Sequence, residues 1–321
     1  LSKKVNYDLL GNIIIPSNIK NLRLPYMGSK NKIAIDLLQA MLKEKPKAKY
    51  FFDLCGGGGA MSFTANQLGL KTHYNDLQAN LVDFINYIFD RIHSGKKGKY
   101  GIFPDDFYNF ITRAEFVKLK NENSIKAQFA RIVYSFGNNQ QGYLFCEDKE
   151  KIKQVAHNLV MFQCKKSAQE LSEVLKQDIT ISQLPTWNER RLEFQKQICR
   201  EKRSYKELER LEQLERLEQL VQLEPIFTTS SKSYNEVEIN TPIDETIVYI
   251  DPPYKKTGKY IEGKNFDYSQ LYNWFKNNKY TCFMSEYEAP FKAIFEIKKA
   301  SLMDNSRAKK KVVKEKLYIN K

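Results

Sequence analysis

The sequence predicts an α/β protein, a mostly parallel sheet with helices on its faces that carries a mainly helical insert. Three observations lead there. From Tyr50 to Ile88 the chain reads strand, glycine turn, helix, strand, acid, helix. Strand patterns return at Thr246–Ile250 and Tyr280–Ser285. Between them, from about residue 95 to 240, the alternation is lost. A chain of 321 residues suits one α/β domain with a second, smaller part. The hydrophobic share of 42% is enough for a core and excludes global disorder.

The first twenty residues show no period and read as an irregular arm, ending in a loop around Pro25. Ile33, Leu37, Leu38, Met41 and Leu42 then recur at helical spacing, and Pro46 marks the exit. Tyr50 to Leu54 is a short apolar run that meets Gly56, Gly57, Gly58 and Gly59. A helix pattern follows through Phe63 and Leu68 and stops at Gly69. Lys71 to Tyr74 reads as the next strand, ending at Asn75 and Asp76, and Leu81, Phe84, Ile85 and Ile88 mark another helix.

The segment 95–240 is rich in Lys, Gln, Glu and Asn and reads as mainly helical. Inside it, at 208–223, Leu208, Leu211, Leu214, Leu217, Leu220 and Leu223 fall at every third position. A helix turns about 100° per residue, so each such step lags by about 60° and the leucines spiral. That is no coiled-coil seam, which needs a period of 3.5. The tract reads as a helix packed on different neighbours along its length, or as a tandem repeat; a partner-binding helix is the other reading. After the strand at Thr246–Ile250 and its successor, the last thirty residues are strongly basic, with Lys309, Lys310 and Lys311 ahead of a closing Leu317-Tyr318-Ile319. The expected domains are 1–94 with 241–321, and 95–240.

With 52 Lys and Arg against 38 Asp and Glu, the net charge of +14 points to a polyanionic partner, or else to a lysine-rich solvated surface. Five cysteines (55, 146, 164, 199 and 282) form no Cys-x-x-Cys, and His73, His93 and His157 are equally scattered. Neither a disulfide framework nor a metal site is expected, and a reducing cytoplasm fits. No signal-peptide pattern opens the sequence, and no apolar run approaches the roughly 18 residues of a membrane helix. A cytoplasmic monomer with no membrane partner is expected.

Asp251-Pro252-Pro253-Tyr254 is the sharpest motif. An apolar strand runs straight into it, so it sits at the carboxyl edge of the sheet, where open α/β sheets bind ligands. Two prolines fix φ and make a rigid turn. Such a turn presents the Asp251 carboxylate and a free carbonyl at Pro252 to one point, and those two acceptors suit an amine with two hydrogens. Tyr254 just beyond can stack on a planar base. The plainer reading is a strand-ending turn with an exposed aspartate.

The glycine turn after Asp53 permits close approach of backbone to a ligand. Taken alone it fits a dinucleotide site, a phosphate loop or a flexible turn, though no Lys-Ser or Lys-Thr pair follows. Asp76, about seventeen residues past the last glycine, is placed to bind ribose hydroxyls, or to cap a helix. Tyr26, Gly28 and Lys30 lie upstream of the first helix, where an aromatic and a lysine can contact a cofactor's adenine and carboxylate.

Together these pieces resemble the Dam-like DNA adenine methyltransferases of the D12 class. Tyr26-x-Gly28-x-Lys30 looks like the family's N-terminal cofactor motif. Asp53 through Gly57 and Gly59 resembles its acid-x-Phe-x-Gly-x-Gly loop, with Cys55 where the family usually has phenylalanine. Asn75-Asp76 matches the pair whose acid binds the cofactor, and Asp251-Pro252-Pro253-Tyr254 matches the catalytic motif. The order is that of the alpha group. Ser135-Phe136-Gly137-Asn138-Asn139, Ser285-Glu286-Tyr287 and the leucine tract resemble a phage-type branch.

The resemblance implies a Rossmann-like S-adenosylmethionine-dependent methyltransferase sheet, with target recognition in 95–240. It implies Asp251, Pro252 and Tyr254 as catalytic residues, and Tyr26, Lys30, Asp53, Gly57, Gly59, Asp76 and Asp251 at the cofactor. The implied substrate is adenine N6, flipped out of double-stranded DNA, and a cognate restriction endonuclease is a partner such enzymes can have. The insert and basic C-terminus are expected to form the DNA cleft. Competing readings are methylation of RNA or of the cytosine amine, and an inactive DNA-binding subunit. Cytosine enzymes more often carry serine in place of Asp251.

Overall fold

Phe51 and Phe52 are neighbours in the chain, yet each is buried in a different core, because successive strand residues point to opposite faces of a sheet. The same split separates Ile247 and Tyr249 from Val248 and Ile250, and Phe283 from Cys282 and Met284. Both faces are therefore covered. This is why these strands read as continuous apolar runs, the pattern of a parallel sheet. The protein's structure is a computed structural model, which describes residues 6–7, 13–14, 19–20, 22–180, 184–199, 209–222, 227–254, 266–300 and 312–321.

Within the arm, β1 (Asn6–Tyr7) and β2 (Ile13–Ile14) form a short antiparallel ladder, so it is less irregular than its sequence suggests. Helix α1 (Ala34–Glu44) buries the stripe Leu37, Leu38, Met41 and Leu42. Then come β3 (Tyr50–Asp53), α2 (Ala60–Gln67), β4 (Lys71–Asn75) and α3 (Ala79–His93). Six further helices follow: α4 (Arg113–Leu119), α5 (Ile125–Val133), α6 (Glu147–Phe162), α7 (Lys165–Leu175), α8 (Trp187–Cys199) and α9 (Glu209–Glu218). The chain closes with β5 (Phe227–Ser230), β6 (Thr246–Ile250), α10 (Tyr268–Asn277), β7 (Thr281–Glu286), β8 (Lys292–Ala300) and β9 (Val312–Ile319).

Seven of these strands make one sheet in the order β5-β4-β3-β6-β7-β9-β8. The first five are parallel, and β9 runs antiparallel between β7 and β8. Helices α1 and α2 supply one core and α10 the other. The chain moves outward from β3 to β4 and β5, then returns to β6 on the other side of β3. That reversal opens a crevice beyond the carboxyl ends of β3 and β6, the usual ligand site of such sheets. Asp53 pairs in register with Tyr249, so Asp251 follows only two residues further along the neighbouring strand.

The chain divides into two compact units, one comprising 1–22, 29–82 and 223–321, the other 23–28 and 83–222. The helical unit thus opens inside α3, earlier than residue 95, and the sheet resumes at Phe227, ahead of residue 241. Phe-Thr-Thr-Ser is too polar to announce a strand; it forms as an edge paired with β4. Strands β8 and β9 were equally hard to read, because charged residues interrupt their apolar ones without a regular period. Lys309, Lys310 and Lys311 lie outside the described residues.

In the helical unit Phe107 stacks on Phe103 at 5.6 Å and meets the edge of Phe129 at 4.9 Å. Arg210 is buried against the face of Tyr134 and donates to His157 Nδ1 at 2.5 Å. Burial first, and the guanidinium second, push the His157 pKa well below its usual value, so the ring is neutral as this contact requires. The leucine tract is core. Leu211, Leu214, Leu217 and Leu220 are all buried, with α9 packed on α5 and α8. The 3₁₀ turn at Gln219–Gln222 has three residues per turn, which keeps Leu220 on the line of Leu217. Leu208 and Leu223 lie outside the described residues. Leu214→Ala is expected to cost about 2–5 kcal/mol in chemical denaturation. A leucine displayed for a partner would cost almost nothing. Among the described residues no helix is long and apolar enough to cross a membrane.

Candidate active site

The glycine turn is shaped by Tyr74, which reaches across it from β4. Its hydroxyl donates to the Gly57 carbonyl at 2.8 Å, and its ring leaves no space for a side chain at Gly56. Gly57 and Gly59 hold φ of +48° and +73°, left-handed values that favour glycine. Gly56 N–H donates to the Asn75 carbonyl at 2.8 Å. The Asn75 side chain donates to the carbonyls of Leu54 and Lys232, both at 2.9 Å, and accepts from Ser230 and the Lys232 amide. It thereby ties together the carboxyl ends of β3, β4 and β5.

Asp76 accepts from Gly57 N–H at 2.8 Å and from Gln78 N–H at 2.9 Å. It closes the glycine turn and caps the segment leading into α3, and burial raises its pKa. Both sequence readings of Asp76, cap and ligand acid, share this position. Asp53 is buried at the end of β3 and accepts the Ser62 hydroxyl at 2.6 Å on Oδ2, while Oδ1 has no hydrogen-bond partner among the described residues. Burial lifts its pKa to about 7 against the Ser62 hydrogen bond, with smaller pushes from the charges of Asp251 and Asp76.

Beyond β6 the tetrapeptide makes a corner. Lys30 is only 5% exposed, and its ammonium lies 2.7 Å from Asp251 Oδ2 and 3.4 Å from Glu315 Oε1. The same ammonium stands 4.6 Å from the centre of the Tyr254 ring. Tyr254 donates its hydroxyl to Glu315, and its ring meets Tyr287 edge-on at 4.6 Å. Burial, then the charges of Asp251 and Glu315, hold the Tyr254 pKa well above its usual value, so it remains a neutral donor. Tyr268 donates to the Pro253 carbonyl, and the Tyr249 hydroxyl meets Ser285 Oγ at 2.7 Å beneath the corner. Among the described residues, two carboxylates thus share the Lys30 ammonium.

Lys30, Asp53, Gly57, Gly59, Asp76, Asp251, Pro252 and Tyr254 thus all belong to the sheet unit, at the ends of β3, β4 and β6 and the segment before α1. Tyr26 groups with the helical unit and is half-buried. Glu315 and Tyr74 escaped the sequence reading. Glu315 had one signal: it shares strand parity with the core residues Leu317 and Ile319, where an acid is out of place.

A buried acid with one unengaged oxygen and a raised pKa suits a ligand that brings a positive charge or a hydrogen-bond donor. Such a ligand can lie against the glycine turn, and the Asp251 corner stands beside it with hydrogen-bond acceptors. A family model described as D12 class N6 adenine-specific DNA methyltransferase matches residues 26–317. No curated protein matches the chain. The family match runs from Tyr26 through Leu317, across both units and every residue of the corner, and the chain belongs to the D12 class of N6 adenine-specific DNA methyltransferases.

Proposed function

We propose that the protein is an active, site-specific enzyme that uses S-adenosylmethionine and methylates N6 of an adenine flipped out of double-stranded DNA. The observation that carries this reading is the nearness of Asp251, two residues past the Tyr249 that pairs with Asp53, to the buried Asp53 carboxyl at the strand-order reversal. When bound, S-adenosylmethionine supplies an electrophilic methyl carbon on a cationic sulfur. Asp53, Asp76 and the turn at Gly57 and Gly59 would hold it: its positive charge suits Asp53, and its ribose hydroxyls suit Asp76.

The adenine amine is a poor nucleophile because its lone pair is delocalised into the ring. The Asp251 carboxylate and the Pro252 carbonyl accept its two hydrogens and draw the nitrogen toward tetrahedral geometry, freeing the lone pair. Hydrogen bonding and positioning suffice for attack, without prior removal of a proton. The N–C bond would form as the S–C bond breaks and a neutral thioether leaves. The methylated nitrogen then gives up one proton to Asp251 and so to water. Tyr254 gives the base a ring to pack on, and Lys30 leaves Asp251 as the amine arrives. A paired base cannot reach such a corner, so it leaves the stack at a cost of a few kcal/mol, repaid through phosphate contacts of a basic surface. The helical unit supplies target recognition. The order of parts supports the Dam-like alpha group, and Ser135–Asn139 supports its phage-type branch. Among the described residues Cys55, Cys146, Cys164 and Cys282 are not in disulfides, which supports a reducing cytoplasm.

Expression in a host lacking adenine methylation, followed by sequencing of modified bases, tests this reading. Methyladenine at one recurrent sequence is expected. Label transferred only to RNA or to cytosine would overturn it, as would no label at all.

Asp53 adds a pH signature. An acid whose folded pKa lies above its unfolded value favours folding most when protonated. That contribution is present below pH about 4 and is lost as pH rises to about 7. A cationic ligand needs the carboxylate, so the opposite trend holds for binding. Affinity for S-adenosylmethionine should rise about tenfold from pH 6 to pH 8 in calorimetric titrations. Asp53→Asn should bind weakly and with a flat profile.

A further inference from the structure

Glu315 comes from β9, the antiparallel strand farthest along the chain from the glycine turn, and it is 1% exposed. A carboxylate is taken out of water at this depth only when something compensates it. Here the compensation is the corner itself. Its Oε1 accepts the Tyr254 hydroxyl and lies 3.4 Å from the Lys30 ammonium, which is shared with Asp251 at 2.7 Å. Among the described residues its Oε2 has no hydrogen-bond partner, and both contacts of Oε1 are made with the corner, to Tyr254 and Lys30.

We propose that Glu315 is a positioning residue for the transfer. It fixes the Tyr254 ring through its hydroxyl and gives Lys30 a second carboxylate, so that Asp251 can turn from Lys30 to the incoming amine. The inference rests on the functional reading above and refines it. With no second carboxylate, a buried ammonium holds fast to Asp251 and competes with the amine. With no acceptor for its hydroxyl, the Tyr254 ring is free to turn about its side-chain bonds, and the base loses a fixed surface.

The test compares wild type with Glu315→Gln, Glu315→Ala, Tyr254→Phe and the double variant Glu315→Ala/Tyr254→Phe. Transfer of labelled methyl to DNA is measured alongside S-adenosylmethionine affinity and Tm. Glu315→Ala should lower kcat by about 30- to 300-fold, while cofactor affinity changes less than threefold, because Glu315 does not touch the glycine turn. Glu315→Gln keeps an acceptor for Tyr254 and should recover at least tenfold over alanine; it also stands in where alanine fails to fold. The double variant should fall within threefold of Glu315→Ala, because both changes cut one link. Losses that multiply, equal losses in Gln and Ala, or a kcat within threefold of wild type in Glu315→Ala would each overturn the proposal. A wild-type protein that transfers no methyl to DNA sinks the functional reading itself, and the Glu315 role with it, and shows as uniform silence across the whole set.

Discussion

Asp251→Ala should lower methyl transfer to adenine by about a thousandfold or more while the protein stays folded. Removing one well-placed hydrogen-bonding group from a reacting centre commonly costs about a hundred- to a thousandfold. Here the loss is compounded. The amine loses one of its two acceptors, and Lys30 loses its nearer carboxylate, at 2.7 Å, while Glu315 stands at 3.4 Å. Asp251 is half-buried and lies in a turn, so its removal opens no core cavity, and Tm should fall by only a few degrees. Single-turnover transfer from labelled cofactor, with binding measured separately, gives the check. Affinity for S-adenosylmethionine should fall far less than the rate, since Asp251 is one of several residues expected at the cofactor and Asp53, Asp76 and the glycine turn are untouched. A rate within tenfold of wild type would mean that another group activates the amine.

How much of this was legible in the sequence depended on how locally each feature is determined. Gly57 and Gly59 were readable because their backbone angles demand glycine, and the tetrapeptide because two prolines after a buried strand leave few conformations. The helix and strand periods around Leu37, Phe51, Val248 and Phe283 were equally plain, because both faces of the sheet are covered. Glu315 was not readable as a site residue. Its position beside Lys30 follows from β9 inserting between β7 and β8, a pairing that no local period encodes. Strand β5 was missed because an edge strand needs little apolar surface, and Phe-Thr-Thr-Ser has little. The leucine tract was ambiguous for a geometric reason. A spiral of leucines is buried only if neighbours surround the helix, and one of those neighbours, α5, lies far away in sequence while the other, α8, is the helix just before it.

Gly56→Ala is the smallest change expected to disable the cofactor site, and the cause is steric, since φ at Gly56 is not among the left-handed values. A Cβ there would stand 2.1 Å from Tyr74 Cε2 and 2.4 Å from Cδ2, distances at which something must move. Tyr74 cannot yield easily. Its ring is fully buried, and its hydroxyl is pinned to the Gly57 carbonyl. Either the ring leaves its slot, exposing a cavity and freeing Gly57, or the turn lifts away and the Gly57–Asp76 bond breaks. Overpacking of this kind costs about 1–3 kcal/mol, and Tm should fall by several degrees. Both routes misplace the turn that a cofactor would lie against, so affinity for S-adenosylmethionine should drop at least a hundredfold. Gly95→Ala is the matched control: its φ of +65° strains alanine, but nothing stands within 4 Å of the new methyl. It should lose about 1 kcal/mol and bind cofactor normally. Trimming the ring in Gly56→Ala/Tyr74→Leu should recover stability relative to Gly56→Ala alone. If Gly56→Ala instead binds the cofactor like wild type, the turn is not where the cofactor lies.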